Sequence, residues 1–367
     1  DEDLRADRQP EFTQIDLEMS FATMEDVMSM NEGFIKRVFK EVLGVDIPTP
    51  MQRMTFAEAM NLYGSDKPDT RYEMTIKDMS AVVAGTTFPV FAGALADGGS
   101  VRAIVAKNGA STLTRKEIDK LTEHAKGIGA KGVAFIRWAD AAPNCSFAKF
   151  LAPEELTALI EALGMEQGDV ALFVADKDKV VLPVLGALRQ LVAKKLDIIP
   201  KGQFNFLWIT EFPFFEWDEE NQLWVAMHHP FTSPLDECVQ YLDTDPDKVY
   251  AKAYDLVLNG IELASGSIRI TDPELQNHMF RALGLSQEEA QQKFGFLLDA
   301  FRYGAPPHGG MGIGLDRLIM QMVGAPTLRD VIAYPKVQNM TEPMTDCPSV
   351  VDDQQLVDLG IGILPQE

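Results

Sequence analysis

Leu256-Val257-Leu258-Asn259-Gly260-Ile261-Glu262-Leu263 is the stretch from which the rest of the chain takes its order. Two apolar runs flank Asn-Gly, the dipeptide that best tolerates the positive φ angles of a type I′ turn, so the segment predicts a two-residue hairpin. Counting outward from the turn sets the register. Leu258 faces Ile261, Val257 faces Glu262 and Asp255 faces Ala264. Asp255 and Val257 then share one side of the sheet, which makes Asp255 a diagonal neighbour of Glu262. Two like charges at that spacing repel unless a cation lies between them. Solvated strand carboxylates and a hard-cation site, most simply for Mg2+, explain the pair about equally well at this level.

Upstream, residues 11–21 alternate. Thr13, Ile15, Leu17, Met19 and Phe21 fall on one face, and Phe12, Gln14, Asp16 and Glu18 on the other. Period two predicts a strand with a core face and a polar face. Residues 24–43 place apolar side chains at helical spacing, and a second short helix is expected over 55–62. A turn-rich stretch, Tyr63 to Arg71, follows. Residues 75–170 read as compact α+β material: strands over 88–91, 101–106 and 132–138, helices over 115–128 and 153–163. A strand over 169–174 and a helix over 182–196 lead back to the buried-strand run Phe206-Leu207-Trp208-Ile209. This pattern predicts an insertion within a larger domain.

Downstream, Gly309-Gly310-Met311-Gly312-Ile313-Gly314-Leu315-Asp316-Arg317 runs into a helical segment. Glycines 310, 312 and 314 leave one strand face bare, which admits a flat ligand ring against the backbone; a bulge or close strand packing explains one glycine well and three alternating ones poorly. The run is neither a P-loop nor a GxGxxG turn. Met227-His228-His229-Pro230 follows a strand over 223–226, and adjacent strand residues point opposite ways, so one histidine at most faces a given pocket. Arg269, flanked by Ile268 and Ile270, needs solvent or a carboxylate, internal or from a ligand.

Composition bounds the answer. The 367 residues carry 33 basic and 55 acidic side chains, a net charge of −22, and are 46% hydrophobic. That balance belongs to a soluble globular chain of two or three domains and excludes disordered, collagenous and disulfide-scaffold classes. The longest apolar run, Val180 to Leu188, is broken by Pro183 and Gly186 and is too short for a membrane span. Three scattered cysteines fit a reducing compartment. Strong acidity argues against non-specific nucleic-acid binding, so any such partner needs a local basic patch. The chain opens on Asp1-Glu2-Asp3-Leu4 without an initiator methionine and reads as the interior of a longer protein.

Together these segments resemble class II aminoacyl-tRNA synthetases, and within them the bacterial-type aspartyl subgroup. Glu2 followed by Arg8-Gln9-Pro10-Glu11-Phe12-Thr13-Gln14-Ile15-Asp16 is similar to the end of the second class motif. Gly310 to Arg317 is similar to the third. Met227–Pro234, Tyr254–Arg269 and Tyr334-Pro335-Lys336 match the aspartyl subgroup. The resemblance implies an α+β fold: an antiparallel sheet flanked by helices, with an inserted α+β GAD-like domain. The implied division is a catalytic first part over 1–71, the insertion over 72–170 and a catalytic second part over 171–367.

It also implies ATP-dependent activation of L-aspartate to aspartyl-adenylate and its transfer to tRNA(Asp), with tRNA(Asn) left open as a second acceptor. By resemblance, Phe12 and Arg317 sandwich adenine, while Glu2, Gln9, Glu262, Gly314, Leu315 and Asp316 contact ATP. Asp255 and Glu262 hold Mg2+. Arg269 takes the side-chain carboxylate of aspartate, His228 helps to bind it, and Gln14 and Asp16 line the pocket. A cytoplasmic homodimer with no membrane association is the implied setting.

The motif 2 arginine, the first motif and the anticodon-binding domain are absent from the sequence, so the chain by itself is expected to be inactive. A non-catalytic or tRNA-independent synthetase paralogue is the alternative. A non-catalytic one would be expected to lose the carboxylate pair or Arg317 first, and both are intact. A tRNA-independent adenylating paralogue and asparaginyl- or lysyl-type relatives fit less well, because of the insertion and the His228–Pro234 segment.

Overall fold

The computed structural model describes residues 4–364. By its contacts the chain divides into residues 1–16 with 312–367, and residues 17–311. The division falls inside two strands, Gln14–Ser20 and His308–Gly314.

The first strand shows the expected alternation, with Gln14, Asp16 and Glu18 exposed and Ile15, Leu17 and Met19 half-buried. It ends before Phe21, which was expected on the core face. Phe21 is instead 79% exposed at φ 56, where the chain turns. The helix Met24–Leu43 follows. Thr23 and Asp26 close a capping box at its start, and Gly44 ends it in the left-handed region at φ 71. Val27, Met28, Ile35 and Phe39 form its buried stripe.

Six strands make one sheet, in the order Gln14–Ser20, His308–Gly314, Ile261–Ile268, Ala253–Leu258, Phe206–Thr210 and Gln52–Thr55. The hairpin pair is antiparallel, as is Phe206–Thr210 against Ala253–Leu258. The edge strand Gln52–Thr55 departs from the expected antiparallel pattern and runs parallel to Phe206–Thr210. Parallel neighbours need a long crossover, and here all of the intervening chain supplies it. Leu207 and Ile209 face one core with Val257, Phe212 and Met279. On the other side Phe206 meets Phe39 edge-on, and the buried Trp208 Nε1 donates to Glu32 at 3.0 Å.

A second, five-stranded sheet has the order Lys77–Asp78, Ser100–Ala106, Val170–Asp176, Ala134–Arg137 and Asn144–Cys145. Every pairing in it is antiparallel. Val170, Leu172 and Val174 pack under the helices Arg115–Gly127 and Asp178–Leu196. Ala171, Phe173 and Ala175 pack on the opposite face with Phe91, Phe147, Leu159 and Leu163. Both faces of the central strand are covered, which is why Val170 to Ala175 read as one apolar run. This sheet and its covering helix therefore reach past residue 170, to about Leu196, further than the sequence division. The expected strand over 88–91 is also absent: Pro89 opens a helix, Pro89–Ala96, because its fixed φ and missing N–H suit a first helical turn. Among the described residues no helix is long and apolar enough to cross a membrane.

Candidate functional site

All six residues of the strand Ala253–Leu258 are buried, and one of them is Asp255, 5% exposed. The pairs Leu258↔Ile261 and Val257↔Glu262 stand as the turn chemistry requires. Beyond them the register shifts by one, so Asp255 faces Ser265 and not Ala264. An extra residue on the partner strand produces this bulge, a device that re-aims side chains beside functional sites. Asp255 still lies close enough to Glu262 to feel its charge. Burial, then Glu262, then Asp66 push the Asp255 carboxyl up to about 8, against some lowering by Ser265. Its Oδ1 is buried and has no hydrogen-bond partner among the described residues. A buried, unpartnered carboxylate oxygen is costly, and a cation relieves it.

The residues present fit a hard cation of one kind. Among the described residues no third histidine, cysteine or acid joins Asp255 and Glu262 in a metal-binding group. Two carboxylates alone suit Mg2+, which keeps several waters and takes phosphate oxygens for the rest of its shell. Lys67 Nζ stands 3.7 Å from Glu262 Oε2.

One residue past the neighbouring strand Ile261–Ile268, Arg269 is held at several points. Its Nη1 donates to Ser267 Oγ at 2.6 Å, two residues back on the same strand face, and meets His229 Nε2 at 2.5 Å. Its Nε pairs with Glu18 Oε1 at 3.4 Å, its ion pair among the described residues, and single-pronged. The backbone N–H of Phe231 reaches His229 Nδ1 at 3.2 Å. Both ring nitrogens thus face donors, and a neutral imidazole accepts at one nitrogen only. Nor does protonation help: burial, then Arg269, then His228 depress His229 to about 4. An anion taken between Arg269 and an Nε2–H tautomer would satisfy both groups.

His228, expected at the substrate, is not the histidine on Arg269. Its ring stands edge-on to Phe212 with centroids 4.9 Å apart, and its buried Nε2 has no partner among the described residues. Burial holds its pKa below the usual value, partly offset by Asp66.

The bare glycine face is occupied. A Cβ at Gly310 would stand 2.0 Å from the Leu17 carbonyl oxygen, and one at Gly312 would stand 2.8 Å from the Gln14 amide and 2.9 Å from the Asp16 carboxylate. Close strand approach, and not a ligand ring, accounts for these two glycines.

Residues 4–16 with 312–364 hold the nucleotide-type motifs. Leu315 N–H donates to the Thr13 carbonyl at 2.9 Å, and Thr13 N–H to Asp316 Oδ2 at 2.8 Å. Phe12 is therefore fixed beside the start of the helix Leu315–Val323, for which Gly314 is the N-cap. Phe12 is 56% exposed, so its ring is open to a ligand. Arg317 Nε donates to the Asp7 carbonyl at 2.9 Å. The Gln9 carboxamide, 3% exposed, accepts from Lys336 N–H at 2.8 Å and donates to the Lys336 carbonyl at 3.3 Å. Gln9 thus clamps the Tyr334–Lys336 segment. Glu2 lies outside the described residues.

A family model described as tRNA synthetases class II (D, K and N) matches residues 1–338. The chain belongs to this family. An aspartate–tRNA ligase of Ruminiclostridium cellulolyticum is 57% identical over 364 residues, which are 99% of this chain and 61% of that protein. An aspartate–tRNA(Asp/Asn) ligase of Lachnoclostridium phytofermentans is 54% identical over the same 99% and 61%. A solved structure, the aspartyl tRNA synthetase of Entamoeba histolytica, is 18% identical with a TM-score of 0.42, over 93% of this chain and 46% of that one. The class II chain thus spans about three-fifths of the length of the curated relatives it matches.

Sequence reading missed four groups in this class II chain. Ser267 was accessible, since period two puts it beside Arg269. Glu18 stood on the polar strand face but had no partner assigned. His229 and Lys67 carried no local signal, because what they touch comes from segments 40 and 195 residues away.

Proposed function

We propose that the chain binds L-aspartate and ATP for the synthesis of aspartyl-adenylate, from which the aspartyl group passes to the 3′ end of tRNA(Asp). One relative is named for both acceptors, which adds tRNA(Asn) as a second one. The observation that carries the reading is Arg269, set by Ser267 and His229 with donors left facing one another until an anion arrives. A guanidinium held this way selects a carboxylate over the isosteric carboxamide, because the amide would bring its own N–H against a donor.

Activation joins a carboxylate oxygen of aspartate to the α-phosphorus of ATP while the bond to the bridging oxygen breaks and pyrophosphate leaves. The 3′-hydroxyl of tRNA then attacks the acyl carbon and AMP departs. Little covalent chemistry falls to the protein, so positioning and charge placement dominate. Asp255 and Glu262 would hold Mg2+, which supplies neutralising charge to phosphate oxygens. Arg269 orients the substrate side chain, and Gln14, Asp16 and His228 line the amino-acid pocket. Phe12 and Arg317 take the adenine, with Glu2, Gln9, Gly314, Leu315 and Asp316 contributing ATP contacts. The five-stranded sheet belongs to the inserted GAD-like domain, read over 72–170, and its last strand and covering helix continue to Leu196. A cytoplasmic homodimer is the proposed assembly.

Isothermal titration with a non-hydrolysable aspartyl-adenylate analogue, against its asparaginyl counterpart, tests the reading. We expect aspartyl selectivity of at least about 100-fold, lost in Arg269→Leu. Equal affinities for the two analogues would sink it.

A further inference from the structure

Lys67 belongs to a turn whose backbone is pinned at both ends. At one end Gly64, at φ 65, sits so close to the helix Asp178–Leu196 that a Cβ there would lie 2.1 Å from the Leu182 carbonyl. At the other, the buried Arg189 donates to the carbonyls of Asp69 and Tyr72 at 2.8 Å and of Met74 at 3.1 Å. Between them Lys67 N–H bonds Ser65 Oγ at 3.1 Å. The Asp69 carboxylate is taken by the Arg71 guanidinium at 2.6 and 2.9 Å, so it has little left to offer Lys67.

The Lys67 side chain is not pinned. It is 39% exposed, and its Nζ stands 3.6 Å from Asp66 Oδ1 and 3.7 Å from Glu262 Oε2. Both distances exceed the roughly 2.7–2.9 Å of a direct charge-assisted hydrogen bond. The ammonium thus lies near Asp66 and Glu262 without closing on either. Asp255, which feels the charge of Glu262, keeps its buried Oδ1 unpartnered among the described residues. Lys67 reaches the pair from the Glu262 side, the half-exposed side, and leaves Asp255 Oδ1 unsatisfied.

We propose that Lys67 is a resident counter-ion of the Asp255–Glu262 pair, displaced from Glu262 when a divalent cation binds there and turned onto the phosphate groups that the cation carries. The inference rests on the reading of that pair as the cation site. An ammonium and a divalent cation on one carboxylate repel each other, and a lysine on a fixed backbone can leave by changing rotamers alone. Once released, its charge finds the nearest anion, a phosphate on the cation. Lys67 is then a positioning residue with two opposed effects: it competes with the free cation and it helps to bind the cation–nucleotide complex.

The test uses Mn2+ as probe, titrated into the chain by calorimetry and by electron paramagnetic resonance, first alone and then with ATP. In Lys67→Gln, Mn2+ alone should bind about two- to five-fold tighter, the worth of one half-exposed ion pair. ATP in the presence of Mn2+ should bind weaker by a similar factor. Lys67→Arg keeps the charge and should bind Mn2+ no tighter than the parent. A loss of local structure would weaken both affinities, so the opposed signs separate competition from damage. Unchanged or weaker Mn2+ binding in Lys67→Gln, or equal tightening in Lys67→Arg, overturns the counter-ion role. Unchanged ATP affinity overturns the transfer to phosphate. Asp255→Asn reports on the underlying site: Mn2+ binding should be lost, and parental binding there would remove the cation site and the inference together.

Discussion

The strands Val170–Asp176 and Ala253–Leu258 are interior strands of two different sheets. Each is flanked on both sides by antiparallel partners, and each is buried almost end to end. Val170–Asp176 pairs without interruption over seven positions with Ser100–Ala106, and its buried residues are all apolar. Ala253–Leu258 carries Asp255 in its middle, and its ladder shifts register beside that residue. The first strand does nothing that packing does not explain. In the second a carboxylate is buried at a cost that folding alone gives no reason to bear. A local rule broken without local compensation is what the proposed cation site would explain.

The largest effect should come from breaking the quieter strand. Phe173 packs edge-on to Phe147 at 5.6 Å and against Phe91 at 6.0 Å, fully buried. Phe173→Ala should cost about 3–5 kcal/mol, the usual loss on emptying such a site. Urea unfolding of the chain checks this, with Mn2+ binding by the folded protein expected to be unchanged.

Asp255→Asn should act in the opposite direction on stability. The folded carboxyl is raised from 3.8 to about 8, so between those values the folded state holds a proton that the unfolded state has released. Stability therefore falls as pH rises through that window and is unaffected below it. The amide removes the penalty, and the cation-free chain should gain about 2–4 kcal/mol at pH 8 and nothing near pH 4. Thermal melts at the two pH values measure the difference. A substitution that stabilises the protein while abolishing cation binding would sharpen the contrast between the strands.

The smallest effect belongs to His229. Its folded pKa is lowered from 6.5 to about 4, so between those values the unfolded chain takes up a proton that the folded state refuses. Stability rises with pH across that window. His229→Gln should flatten the slope by about 1–2 kcal/mol, discounted for the ring's partial exposure. An unaltered slope between pH 4 and 6.5 in urea titrations would place the titration elsewhere.

Much of this was legible locally. The helix Met24–Leu43 follows from its apolar spacing with Thr23 and Gly44 at its ends, and the hairpin from Asn259-Gly260. Register held only as far as the turn dictates it. Past Val257 the bulge intervenes, and no residue in the segment announces it. Phe88–Phe91 misled because an aromatic, β-prone run outweighed the proline that starts a helix. At 310 and 312 the alternation pointed to a ligand ring, because close packing accounts easily for one glycine and not for several. The Leu17 carbonyl and the side chains of Gln14 and Asp16 are the crowding neighbours.

What the sequence determined by itself is what depends on neighbours a few residues apart: periodicity, caps, turns, and the presence of Asp255 and Glu262 in the hairpin with Arg269 between two isoleucines just beyond it. Which histidine meets Arg269, which lysine approaches Glu262, and how far the second sheet runs along the chain were decided by the tertiary structure. Each of these is a contact between segments tens to nearly two hundred residues apart, and its energy depends on burial and distance, which no local spacing encodes.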